Sequence, residues 1–157
     1  VTTLEYIAAI VIPAALKLLP AKMDSLEARA MLIAIGLQES RFLHRGQIGG
    51  PARGYWQFEQ GGGVKGVLTH AASSPHARDI LMTLGYNEAV QTSYAALENN
   101  DILACTYARL LLWTHPKALP QRWQTDYAWQ QYLSTWRPGK PHRDTWDGFF
   151  DDAWAML

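Results

Sequence analysis

At 157 residues the chain is long enough to bury one full hydrophobic core, and a single domain over 1–157 is expected. Fourteen Lys and Arg balance fourteen Asp and Glu, so the formal net charge is zero and there is no electrostatic footprint for nucleic acid or an anionic membrane. One cysteine excludes an internal disulfide and a cysteine-built metal cluster, and Cys105 reads as a small core residue on a helix.

Thr2 or Thr3 is placed to cap a first helix reaching about Leu19. Its apolar stretch, Tyr6 to Leu16, is too short to span a bilayer and contains Pro13. A core helix kinked or begun at Pro13 is therefore preferred to an uncleaved export anchor. No basic leader or small-residue cleavage site is evident, so a cleaved signal peptide is not expected. Pro20 ends the helix. Asp24 or Ser25 then caps the next, with Glu27 spaced to close a capping box on Asp24.

That second helix carries the most informative residue in the chain. Ala28, Met31, Leu32 and Ile35 recur at helical spacing, and at about 100° per residue Glu39 projects onto the face of Leu32 and Ala28. Desolvation there disfavours the charged carboxylate, and the negative end of the helix raises its pKa further. Arg41, Arg45 and Arg53 would oppose both if they approached. If burial wins, Glu39 keeps its proton near neutral pH and can donate it. The alternative is a solvated Glu at a helix end with no role, the ordinary place for an isolated Glu.

Residues 43–54 are glycine-rich and include Pro51, which reads as turns or a short hairpin. If Tyr55 to Glu59 is extended, Gln57 and Glu59 share one face and Trp56 and Phe58 the other. The same five residues also fit a helix start. The run Gly61-Gly62-Gly63 lacks the Lys-Ser/Thr ending of a phosphate-binding loop and reads as a flexible close-approach segment. A short helix over 64–71 follows. Pro75 opens a helix to Leu84 that Gly85 stops, Asn87 caps one to about Leu97, and Asn99 or Asn100 caps one ending before Pro116.

Residues 119–136 hold Trp123, Tyr127, Trp129, Tyr132 and Trp136, with Tyr132, Trp129 and Trp136 on one helical side. Aromatic faces stack on sugar rings, but the same pattern also makes a core seam. The basic stretch Arg137 to Arg143 reads as a solvated connector or a meeting point for substrate carboxylates. Asp144 or Thr145 caps a last helix through Phe149, Phe150 and Trp154. The fold expected is mainly α, a bundle of about seven to nine helices with at most a small β-hairpin near residues 44–59.

Glu39-Ser40-Arg41-Phe42, followed by Ala52-Arg53-Gly54-Tyr55-Trp56-Gln57, resembles the lytic transglycosylase and goose-type lysozyme superfamily. That family's pattern is Glu-Ser-x-Phe, a variable loop, then Ala-x-Gly-x-x-Gln. Tyr55 and Trp56 stand where the family more often has Leu and Met. The resemblance implies a lysozyme-like fold in which Glu39 is the catalytic acid/base, Ser40 orients it, and Gln57, with Tyr55 beside it, lines a sugar cleft. Asn100, Ala104 and Tyr107 loosely match a later family pattern, and Tyr132 loosely matches its final cleft tyrosine. The family's Ala-Tyr-Asn-Ala-Gly stretch is missing, which marks a divergent member and leaves the far cleft wall unassigned.

The implied reaction cleaves the β-1,4 bond between N-acetylmuramic acid and N-acetylglucosamine in peptidoglycan. A transglycosylase needs one carboxyl group, because the sugar's own 6-hydroxyl is the nucleophile. A hydrolase needs two, and Glu59 is the nearest downstream candidate. A chitinase-like enzyme and a non-catalytic saccharide-binding module are the alternatives. The expected partner is the glycan strand, with no nucleic acid, no stable membrane insertion, no cofactor and no metal, acting as a monomer. Action on the wall in the periplasm, after delivery by a phage particle or a holin, is what resemblance to phage and prophage enzymes implies.

Overall fold

The computed structural model describes residues 1–157, which form helices joined by turns with no β-sheet. The first helical stretch runs as α1 (Thr3–Tyr6), a π-helical turn (Ile7–Val11) and α2 (Ile12–Lys17). Thr2 caps it in a reciprocal box: its hydroxyl accepts the Glu5 N–H at 3.2 Å and its own N–H donates to Glu5 Oε2 at 2.7 Å. Pro13 sits in the first turn of α2, directly after the wider π turn, which relieves the clash of the ring with the preceding turn. The stretch ends at Lys17, two residues short of the expected Leu19.

Helix α3 (Leu26–Ser40) is the axis of the molecule. Ser25 is its cap, with Oγ accepting from the Ala28 N–H at 3.1 Å. The capping box expected between Asp24 and Glu27 is not formed, because Asp24 turns to Arg29 in two bonds of 2.8 Å. The expected single apolar face is also too narrow. Every residue from Ala30 to Leu37 is buried, so α3 is enclosed by the other elements rather than laid on them.

The remaining helices are α4 (Lys65–Thr69), α5 (Ser74–Leu84), α6 (Val90–Leu97), α7 (Asp101–Trp113), α8 (Thr125–Trp136) and α9 (Arg143–Ala155). Counting the first stretch as one, this is a bundle of about eight helices, the mainly α class expected. Gly85, at φ 81°, stops α5, and Asn100 Oδ1 caps α7 through the Leu103 N–H at 3.0 Å. Two caps differ from expectation. Asn87 accepts from the Ala89 N–H in a local turn, and α6 starts after Ala89 without a side-chain cap. Helix α9 starts at Arg143, before Asp144 and Thr145, and has no side-chain cap.

Helix α9 runs along α3, and α7 packs on α2, α3 and α4. An aromatic seam joins α8 to α9: Tyr132 stacks on Trp146 at 5.1 Å, Trp146 on Phe150 at 5.9 Å, and Trp129 leans on both Tyr132 and Trp146. No helix is long and apolar enough to cross a membrane.

Candidate active site

The C-terminal end of α3 is built by an abrupt change of direction. Arg41 and Phe42 both adopt left-handed backbone, at φ 53° and 54°, so the chain folds back directly after Ser40. The Ser40 hydroxyl holds this reversal, donating to the Tyr55 carbonyl at 2.7 Å and accepting the Phe42 N–H at 3.1 Å. Its bonds go to backbone, so Ser40 fixes the position of the helix end rather than touching the Glu39 carboxylate. Phe42 drops its ring against Gly36, where an added Cβ would lie 2.1 Å from Phe42 Cζ. Tyr55 and Trp56 meet that ring edge-on at 5.5 and 5.6 Å.

Residues 55–59 are not extended as a strand would be. Gly54 to Gln57 form a turn, with Gly54 at φ 74° and Gln57 at φ 55°, and the only ladder contacts are isolated bridges from Arg53 to Gly46 and to Phe58. The turn nevertheless buries Trp56 and Phe58 and leaves Gln57 and Glu59 outward. Gly54 is required there: besides its positive φ, a Cβ would meet the Leu97 carbonyl oxygen at 3.0 Å. Trp56 Nε1 donates to the Leu32 carbonyl of α3 at 2.8 Å, and Trp136 Nε1 donates to the Trp56 carbonyl at 2.9 Å. The turn is thereby pinned between α3 and α8.

Between these elements lies a groove of about 1100 Å3, lined among others by Glu39, Gln57, Glu59, Tyr132 and Trp136. That volume is at the upper end for a small-molecule site and suits an extended ligand. Gly61, Gly62 and Gly63 form one wall in a π-helical turn, and Gly63 has no room for a side chain because Phe58 lies 2.6 Å from its would-be Cβ. The stretch from Arg137 to Lys140 and His142 forms part of its rim. That rim is tied to α3: Gln38 Nε2 donates to the His142 carbonyl at 2.9 Å, and Thr145 donates to Gln38 Oε1 at 3.0 Å.

Glu39 is half-buried at the base of the groove and accepts a 2.6 Å hydrogen bond from the Tyr132 hydroxyl. Burial pushes its carboxyl up from the ordinary 4.5 to about 7, and the Tyr132 bond, which favours the ionised form, opposes part of that rise. The arginines near it in sequence do not lower it. Arg45 pairs with Asp101 at 2.8 and 2.9 Å, Arg53 with Glu98 at 3.6 Å, and Arg41 lies over the Phe149 ring. Tyr132 itself is 3% exposed, and burial with the adjacent Glu39 charge raises its pKa, so it stays a donor. A group with pKa near 7 can both give and take a proton at neutral pH.

Of the residues singled out in the sequence, Glu39, Gln57, Glu59 and Tyr132 meet at the groove. Tyr55 and Tyr107 do not line it. Tyr55 is buried under the Arg45 guanidinium, 4.6 Å from its ring centre. Tyr107 is fully buried, bonded to Ser93 Oγ at 2.6 Å and edge-on to Phe58, so it supports the groove from below. Sequence reasoning missed Gln38 and two of the three groove histidines, His70 and His115, which have no spacing signal. No cluster of three His, Cys, Asp or Glu side chains is arranged to hold a metal ion. Comparisons with protein-family models, curated proteins and solved structures find no match for this chain.

Proposed function

We propose that this protein cleaves peptidoglycan glycan strands between N-acetylmuramic acid and N-acetylglucosamine, as a lytic transglycosylase with Glu39 as general acid and base. The observation that carries the reading is a half-buried carboxyl with pKa near 7, held by Tyr132 at the base of a groove of about 1100 Å3. In the first step Glu39 donates its proton to the glycosidic oxygen as the C–O bond breaks. In the second, the resulting carboxylate takes the proton of the muramic 6-hydroxyl as that oxygen bonds to C1, closing a 1,6-anhydro ring. The proton lost in the first step is regained in the second, so Glu39 ends as it began. The nucleophile is part of the substrate, which makes a water-activating carboxylate unnecessary.

Tyr132 supports the first step by donating to the carboxylate that forms as Glu39 gives up its proton. The resemblance at Glu39-Ser40-Arg41-Phe42 and at residues 52–57 supports the same family reading. In this reading the protein is a monomer of lysozyme-like fold that reaches the wall by phage-particle or holin delivery. A lysozyme-type hydrolase is the second reading, favoured by one observation: Glu59 lines the same groove and is exposed there. Mass spectrometry of fragments from purified peptidoglycan separates the two. Anhydro-muramic ends are expected, and reducing muramic ends in their place would establish the hydrolase.

A further inference from the structure

A buried guanidinium is costly unless its charge is met. Arg109 of α7 is 3% exposed, yet no carboxylate pairs with it. Its Nε donates to the Met23 carbonyl at 2.8 Å, the one hydrogen bond this side chain makes within the protein, and its terminal nitrogens are not sealed from solvent. Asp24, the closest negative influence on it, is committed to Arg29. Burial lowers the Arg109 pKa to about 10, which still leaves it charged at neutral pH. Arg109 lines a second pocket, of about 570 Å3, with Lys22, Lys117 and Trp113. The guanidinium and the Lys22 ammonium each lie 5.4 Å from the Trp113 ring centre, so two cations share one indole. Glu27 is the one carboxylate on the wall and pairs with neither. His115 and Pro116 line both this pocket and the groove of Glu39, so the two adjoin.

We propose that the Arg109 pocket is a carboxylate-binding subsite that receives the free carboxylates of peptide stems carried by a glycan lying in the adjoining groove. A guanidinium fork beside an ammonium matches a carboxylate in shape and charge. The sugars of the strand carry no charge of their own apart from the stems, so the stem is the anionic branch available at this position. The stem assignment rests on the peptidoglycan reading, whereas the anion site stands on Arg109 and its neighbours.

The test is titration of the whole protein with a soluble stem peptide bearing free carboxylates, followed through the Trp113 indole N–H resonance. Saturable binding is expected for the free peptide and none for the same peptide with its carboxylates amidated. Lys22→Gln with Lys117→Gln, both at exposed positions, should weaken binding about tenfold, the scale of one or two exposed ion contacts. Arg109→Gln should weaken it more, and the double variant decides the matter if the buried substitution fails to fold. Equal binding of the amidated peptide, inorganic phosphate binding as tightly, or an unaffected double variant would overturn the subsite. Cleavage of stem-stripped glycan by the wild-type protein is measured in parallel. Cleavage without peptide binding removes this inference alone; peptide binding without cleavage removes the glycan reading and leaves the anion site.

Discussion

The hydroxyl of Tyr132 donates to Glu39 Oε1 at 2.6 Å, joining residues 93 positions apart. Tyr132 cannot swing away, because its ring stacks on Trp146 and leans on Trp129. The bond favours the ionised carboxyl, while burial favours the neutral one and dominates. Tyr132→Phe removes the opposing influence, so the Glu39 pKa should rise above its present value of about 7. The alkaline limb of the pH–rate profile on peptidoglycan should therefore move to higher pH, with a lower maximum because the carboxylate formed in the first step of the proposed reaction loses its donor. An unmoved limb would show that Tyr132 does not act on the Glu39 carboxyl.

Glu39 also contributes to the pH dependence of stability. Its folded pKa, about 7, lies above the value near 4.5 expected when unfolded, so between those values the folded state binds more protons. Stability then falls as pH rises from about 4.5 to about 7, by roughly 3 kcal/mol, and levels off above. Glu39→Gln has no such dependence at this position and can still accept from Tyr132. Thermal unfolding should find the variant matching the wild type near pH 4.5 and several degrees more stable at pH 8. A variant less stable at pH 8 would mean that the ionised carboxylate is welcome where it sits.

Gly36 is a packing device under the site. A methyl group there would overlap the Phe42 ring, which is held by Tyr55 and Trp56 and by its own left-handed backbone. Alanine improves a helix interior by up to about 1 kcal/mol, but here the overlap should win. Gly36→Ala is expected to lose about 2 kcal/mol by denaturant titration, with activity falling as the helix end shifts. A stabilised variant would show that Phe42 has room to move.

Much of this was legible in the sequence, and the limits have physical causes. Helical spacing marked α3 and one buried face carrying Glu39, though not the burial all round from Ala30 to Leu37, and turn chemistry at Pro20, Gly85 and Asn100 marked helix ends. Alternation failed over residues 55–59, because a single left-handed residue, Gln57, separates polar from apolar side chains as well as a strand would. The roles of the arginines were invisible, since Arg45 and Arg53 find Asp101 and Glu98 on distant elements. Tyr107 matched a pattern by spacing, but spacing cannot tell the groove from the layer beneath it. The bond from Tyr132 and the exposed side of the basic rim depend on how α8 and α9 dock on α3.

Glu59 lines the groove at an exposed position. With an intramolecular nucleophile, Glu59→Gln should reduce peptidoglycan cleavage less than about tenfold, through lost contacts to substrate. Steady-state rates settle it, and a loss of about a hundredfold or more would assign Glu59 a direct part in the chemistry.

The most direct measurement is release of soluble glycan fragments from purified sacculi by the wild-type protein and by Glu39→Gln, both confirmed folded by circular dichroism. The wild type should solubilise the wall, and the variant should do so at least about a hundredfold more slowly, the scale of losing an acid–base group. Equal release by both, or none by the wild type, would contradict the assignment of glycan cleavage to this carboxyl.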